Sequence, residues 1–224
     1  MEEYKLRQQK RLFRQLLMSI GFILILILGW QYPLLGYFIP FCMLLGIVIG
    51  LGRGRKWCDW YCPRGSFYDA LLRKVSLKKK IPAIFRNIYF RLTILTFLML
   101  VMAYNLERSW PSPHKMGAFF VTLLTITTIT GVLLAVIFHQ RSWCMICPIG
   151  TLVNLTGKNK NPLKINSELC IGCKLCAKVC PVQLKPYLYK GKGIELVKER
   201  DCLKCGLCVS ICPKKALIFR EIIS

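Results

Sequence analysis

Two identical cysteine runs constrain this chain more than any other feature. Cys170, Cys173, Cys176 and Cys180 follow the spacing C-x2-C-x2-C-x3-C, with Pro181 next. Cys202, Cys205, Cys208 and Cys212 repeat it, with Pro213 next. This is the bacterial two-cluster iron–sulfur pattern, in which the fourth cysteine of each run ligates the other cluster. It predicts one [4Fe–4S] cluster on Cys170, Cys173, Cys176 and Cys212, and a second on Cys202, Cys205, Cys208 and Cys180. Three closely spaced thiolates wrap three corners of a cubane and a distant fourth closes it. Gly172 and Gly206 let the backbone curl around each cluster. Two zinc sites are the bland alternative, disfavoured by the doubled spacing with a proline after each fourth cysteine. Leu163–Ile165 and Leu217–Phe219 are expected to form a terminal strand pair, and Gly191-Lys192-Gly193 the turn of a central hairpin.

Upstream the texture is different. No charged residue occurs from Gln15 to Gly52. As one helix that run would measure about 57 Å, against a hydrocarbon core about 30 Å thick. It must fold back, and Trp30, Gln31, Tyr32 and Pro33 mark the turn. Spans are predicted at 15–31, 35–52, 88–106 and 116–140. The chain carries 33 Lys+Arg against 10 Asp+Glu, a formal charge of +23. The basic residues gather in the N-terminal segment (Lys5 to Arg14), in the loop from Arg53 to Arg86, and after the fourth span (Arg141, Lys158, Lys160, Lys164). Positive-inside counting puts both termini and these loops in the cytoplasm, so the excess reads as a topology signal rather than nucleic-acid binding. No small-x-small cleavage site follows the first apolar run, which reads as an uncleaved span.

Four further cysteines follow the even-numbered spans, in Trp57-Cys58-Asp59-Trp60-Tyr61-Cys62-Pro63-Arg64-Gly65 and Trp143-Cys144-Met145-Ile146-Cys147-Pro148-Ile149-Gly150. Both segments share Trp-Cys and then Cys-Pro-x-Gly, which implies an internal repeat of two spans plus a cysteine elbow. Two thiols cannot close a four-ligand site, but Cys58, Cys62, Cys144 and Cys147 together can. The expectation is a third iron–sulfur cluster near the membrane surface, [4Fe–4S] before [2Fe–2S]. A zinc site, a redox-active thiol pair and structural thiols are the alternatives.

The fold class is therefore membrane α-helical, with four transmembrane helices in two helix-pair repeats (1–157). A C-terminal α+β two-cluster bacterial ferredoxin-like domain follows (158–224). Four spans, Cys-x3-Cys-Pro elbows and the C-terminal two-cluster run together resemble the NapH/MauN-type membrane ferredoxins, with related elbows in NosR- and CcoG-like polyferredoxins. Cys144-x2-Cys147 is one residue shorter than that elbow pattern. The resemblance implies a multi-pass protein of a bacterial or archaeal cytoplasmic membrane. It implies electron transfer linked to quinol or to a redox partner, as a subunit of a larger oxidoreductase complex of quinol dehydrogenase type. The CcoG-like likeness implies an alternative: a maturation or metal-reduction factor that supplies electrons for assembly of another redox enzyme. A redox sensor or anchoring subunit is a third class.

No acid–base dyad, nucleophile–His pair, Walker loop or dinucleotide fingerprint is present in the sequence, so no catalytic residue is assigned. Lys174, Lys178, Lys204, Lys214 and Lys215 surround the ferredoxin motifs and could dock an acidic flavodoxin or ferredoxin donor. Cys42 reads as a packed apolar residue and Arg91 as a snorkelling one. Thr122, Thr125, Thr127, Thr128 and Thr130 read as local backbone bonders, with contact to a quinone headgroup as the sharper alternative. His139 reads as an ordinary interfacial histidine, with lining a quinone pocket or tuning the third site as the sharper alternative. Phe67–Lys80 reads as a surface helix on the anionic inner leaflet.

Overall fold

Residues 2–157 and 160–219 are described by a computed structural model. Lys158, counted above among the loop charges, lies outside the described residues, beside the boundary drawn at 158. Four helices are long and apolar enough to cross a membrane. The first, α1 (Glu2–Leu28), starts well ahead of its apolar stretch. Residues 2–14 are mostly Glu, Lys, Arg, Gln and Leu, which are strong helix formers, and Glu2 and Glu3 complement the positive end of the helix dipole. The helix therefore continues into a polar extension. Its inward face carries Arg11, Gln15, Ser19 and Phe22, all buried at one-turn intervals. Leu16, Leu17, Ile20, Leu24 and Ile27 point outward, as a lipid-facing surface requires.

The fold-back falls where the aromatics and proline placed it. Pro33 opens a 3-10 turn, Pro33–Tyr37, which leads into α2 (Phe38–Arg53). That turn packs directly on α6 (Pro113–Ile137). A Cβ on Gly36 would run into the carbonyl of Gly117, and one on Gly117 into that of Pro33. Small residues let backbones meet this closely. Gly117→Ala is expected to cost about 1–3 kcal/mol through overpacking, read as a lowered Tm of the detergent-solubilised protein.

α5 (Ile88–Ser109) begins at Asn87, whose side chain accepts the Tyr89 N–H at 2.9 Å. The hydroxyl-rich fourth span behaves as the local-bonding reading expects. Thr122, Thr125, Thr127, Thr128 and Thr130 each donate to the carbonyl four residues back. Cys42 is buried in an apolar cluster.

Each cysteine elbow is a pair of short helices. The first comprises α3 (Lys56–Trp60) and α4 (Pro63–Leu71), and the second α7 (Ser142–Ile146) and α8 (Pro148–Thr156). Pro63 and Pro148 occupy the first helical position, where a fixed φ is favourable and no N–H is needed. α4 lies along α1, and α8 lies along α2. The surface helix expected over Phe67–Lys80 ends at Leu71, and Tyr68 and Asp69 inside it are buried.

The C-terminal unit holds a three-stranded antiparallel sheet in the order β2-β1-β3, formed by β1 (Leu163–Asn166), β2 (Ile194–Leu196) and β3 (Leu217–Phe219). Leu163 faces Phe219 and Ile165 faces Leu217, the expected terminal pair. The central hairpin does not form. The segment before Gly191 is a 3-10 turn, Pro186–Tyr189, fixed by Pro186, and β2 pairs with β1 instead. Two short helices, α9 (Leu175–Lys178) and α10 (Leu207–Ile211), follow residues with positive φ, as the tight cysteine runs demand.

Candidate iron–sulfur sites

The two ferredoxin runs are interleaved. One small cavity is lined by Cys170, Cys173, Cys176 and Cys212, and another by Cys180, Cys202, Cys205 and Cys208. Each fourth cysteine thus faces the other run's first three. The proline after it turns the chain so that an amide four residues on returns to the sulfur. Leu184 N–H donates to Cys180 Sγ at 3.3 Å, and Ala216 N–H to Cys212 Sγ at 3.3 Å. Gly172 and Gly206 have φ of +70° and +79°. Burial pushes the Cys180 thiol up to about 11, a cost that metal coordination removes because a coordinating thiol is deprotonated outright. In both sets the cysteines line a cavity, as a cubane core requires.

The elbows bring the other four cysteines together. Cys62 lies within electrostatic reach of Cys58, Cys144 and Cys147. Three arginines and one amide face these thiols. Arg64 Nη2 donates to Cys147 Sγ at 3.2 Å, and Arg141 Nη1 lies 3.8 Å from Cys144 Sγ. Arg55 lies beside Cys58 with its Nε unpartnered, and Gly65 N–H donates to Cys62 Sγ at 3.4 Å. Burial pushes the Cys144 thiol up to about 11, against the pull of Arg141. Arg55, Arg64 and Arg141 make this a cationic pocket of four thiols, a lining that would suit an anionic sulfide-bearing core.

The arginines cross between elbows. Arg55, two residues before Trp57, donates to the Cys144 carbonyl at 2.8 Å, and Arg141, two residues before Trp143, donates to the Cys58 carbonyl at 2.8 Å. This explains the glycine of each Cys-Pro-x-Gly. A Cβ on Gly65 would stand 2.8 Å from the Cys58 carbonyl and 3.0 Å from Arg141. One on Gly150 would stand 3.0 Å from the Cys144 carbonyl and 3.3 Å from Arg55.

These guanidiniums are held by carboxylates. Arg141 donates through Nε to Asp69 at 2.9 Å and also reaches Asp59, and Arg11 of α1 clamps the same two aspartates. Burial alone would raise the Asp69 carboxyl, but Arg141 and Arg11 hold it well below the usual carboxylate range. Asp201, beside Cys202, accepts from Arg55 at 2.8 Å, from Arg91 at 2.7 and 2.8 Å, and from Asn154 at 3.0 Å. Arg91 therefore does not snorkel; it is buried in a bidentate pair that ties α5 to the ferredoxin unit. His139 is buried too, its Nδ1 accepting the Arg141 N–H at 3.3 Å.

The sequence reading missed this framework by treating Arg55 and Arg141 as solvated loop charges and Arg91 as a snorkelling one. Two signals were available: the shared Arg-x-Trp-Cys, and the fact that the chain has only three aspartates, Asp59, Asp69 and Asp201. All three are buried.

The second ferredoxin set adjoins the elbows. Cys58, Trp57, Met145, Val182, Leu184 and Leu203 share one buried cluster, against which Cys62, Cys180 and Cys202 pack. The first set belongs to a separate cluster under the sheet, and its Cys173 is exposed.

Comparison with known proteins agrees with these cysteine patterns. Residues 162–213 match the family of 4Fe-4S dicluster domains, and residues 35–82 and 118–166 each match the family of 4Fe-4S binding domains. Two uncharacterized proteins of Methanocaldococcus jannaschii are 25% and 28% identical, over 63% and 62% of this chain and 57% and 63% of their own lengths. An Escherichia coli protein named "Putative electron transport protein YccM" is 30% identical over 62% of this chain and 44% of its own length. The chain thus spans less than two thirds of each of these relatives. No solved structure matches. The chain carries 4Fe-4S ferredoxin domains and is homologous to these relatives.

Proposed function

We propose that this chain is a membrane-bound iron–sulfur relay, passing single electrons between a partner on the cytoplasmic side and quinone, quinol or a membrane partner subunit. The observation that carries the reading is the shared core joining Cys58 and Cys62 to Cys180 and Cys202. It makes the three cysteine sets a series. The set with exposed Cys173 is the outer terminal, the set of Cys202, Cys205, Cys208 and Cys180 is the middle, and the elbow set is nearest the bilayer. In this reading Cys170, Cys173, Cys176 and Cys212 hold the first [4Fe–4S] cluster and the middle set holds the second. Cys58, Cys62, Cys144 and Cys147 hold a third, bridging two helix-pair repeats. The bound clusters supply one-electron carriage. The protein's residues hold the thiolates, exclude water from the inner sites and offset the anionic cores with Arg55, Arg64 and Arg141. The membrane unit is 1–157 and the ferredoxin unit 158–224.

An apolar cavity between the spans supports the membrane end of this path. Phe22, Met43, Met99 and Met102 line it, and it reaches Cys62, Cys147 and Arg64 at its inner end. Arg64 also donates to Thr127 Oγ1 there at 2.9 Å. A quinone in this cavity would place its headgroup beside the elbow thiols. At the outer terminal, Lys174, Lys214 and Lys215 suit an acidic donor. The relative's printed name is consistent with this function.

The test is iron and acid-labile sulfide per chain after anaerobic purification, with EPR of the reduced protein. About twelve iron atoms are expected; about ten would make the elbow site [2Fe–2S], and about eight would leave only the ferredoxin pair and refute the elbow cluster. Cys58→Ala should lose about four of the twelve while the ferredoxin signals persist. Unchanged iron in that variant would also refute the bridging site.

A further inference from the structure

A second cavity, of about 430 Å³, opens where the polar extension of α1, the end of α4 and the ferredoxin unit meet. Its walls are unlike those of the cysteine sites. Arg73, Lys78 and Lys178 line it, and among the described residues none of the three forms an ion pair. The carboxylate in the wall, Asp69, is already engaged by Arg11, Arg141 and Gln15. The cavity therefore presents three uncompensated cations. Gln140 also lines it and is 7% exposed, and its buried Oε1 has no hydrogen-bond partner. An acceptor left bare in a buried wall is costly unless something donates to it.

Three cations with a single waiting acceptor specify an anion that also carries a hydroxyl or amine. The position narrows the source. Gln140 lies three residues beyond the end of α6, at the membrane edge. Leu71, Val75 and Leu77, flanking Arg73 and Lys78, are exposed as if in contact with acyl chains. The far wall belongs to the ferredoxin unit, at Lys178 and Cys180.

We propose that this cavity binds a phosphate-bearing anion, supplied by an anionic phospholipid headgroup of the adjoining leaflet. The phosphate lies among Arg73, Lys78 and Lys178, and a headgroup hydroxyl donates to Gln140 Oε1. Such a lipid joins the membrane unit to the ferredoxin unit beside the middle cysteine set. The inference does not depend on the electron path proposed above.

The experiment uses the full iron-loaded chain, delipidated in neutral detergent. Binding of short-chain phosphatidylglycerol, phosphatidylcholine and inorganic phosphate is measured by native mass spectrometry and calorimetry. Wild type should take up one phosphatidylglycerol and discriminate against phosphatidylcholine. The double variant Arg73→Gln/Lys78→Gln changes two exposed residues, so its iron content should match wild type while phosphatidylglycerol binding weakens at least tenfold. Gln140→Leu should weaken phosphatidylglycerol but leave phosphatidic acid, which lacks the glycerol hydroxyl, unaffected. Inorganic phosphate bound as tightly, and lost in the same double variant, would uphold the anion site and make its source soluble. Equal phosphatidylglycerol binding by wild type and the double variant, or equal affinity for phosphatidylcholine, would overturn the proposal.

Discussion

Replacing Asp201 with leucine is expected to release the ferredoxin unit from the membrane unit and to destabilise the protein by about 3–5 kcal/mol, the usual cost of removing one partner from a buried ion pair. Among the described residues, Asp201 is the one carboxylate bound to both Arg55 and Arg91. Without it two guanidiniums remain buried, and Arg55 can no longer be held against the Cys144 carbonyl and the Cys58 thiol. The damage should spread from the interface to the elbow site. Limited proteolysis of the protein should accelerate, and Tm in detergent should fall. Asp201→Asn keeps the shape but not the charge and should fall between the two. A leucine variant as protease-resistant as wild type would show that apolar packing alone, in the cluster that holds Leu203 and Met145, docks the unit.

The second large effect is expected at Arg141. Its planar fork reaches Asp59, Asp69, the Cys58 carbonyl and the neighbourhood of Cys144 at once. Arg141→Met leaves Arg11 alone to neutralise two buried carboxylates. A loss of about 3–5 kcal/mol is expected, together with failure to retain elbow iron. Arg141→Lys should not rescue, because an ammonium cannot span those acceptors in one plane. Arg141→Met combined with Asp69→Asn should recover part of the stability, since the pair is strongly coupled. If the proposed elbow cluster is present, its iron should stay low in the double variant, because Arg141 also faces the Cys144 thiol. Additive single effects would show that Arg141 and Asp69 do not act as a unit.

What could be read from the sequence divides along physical lines. The ferredoxin thiols were legible because four-ligand geometry is written in local spacing, and the structure gathers them in the two expected groups. The elbow pairing was legible because two half-sets ended on similar motifs. The spans were legible from charge-free length, although α1 runs on through residues 2–14, where helix propensity needs no apolar face. Buried arginine was not legible in the same way. Arg55 and Asp201 lie 146 residues apart, and neither has a local pattern that reveals its partner. Arg91 was misread for the same reason. The Phe67–Lys80 helix was overextended because basic and apolar residues alternated suitably, while Tyr68 and Asp69 were drawn into the core. The expected hairpin failed because Pro186 favours a tight turn where a strand was required.

The crossing of Arg55 and Arg141 sets an order for biogenesis. The first elbow emerges from the ribosome with Cys58 and Cys62 already made. Yet the groups that cap its carbonyl and hold Asp59 and Asp69 in place include one synthesised more than eighty residues later. Until the fourth span has been inserted, the half-site stays open, with reactive thiols and an unanchored carboxylate pair. If the elbows hold the proposed third cluster, its loading would be a terminal step of assembly, a checkpoint that only a completed helix bundle can pass.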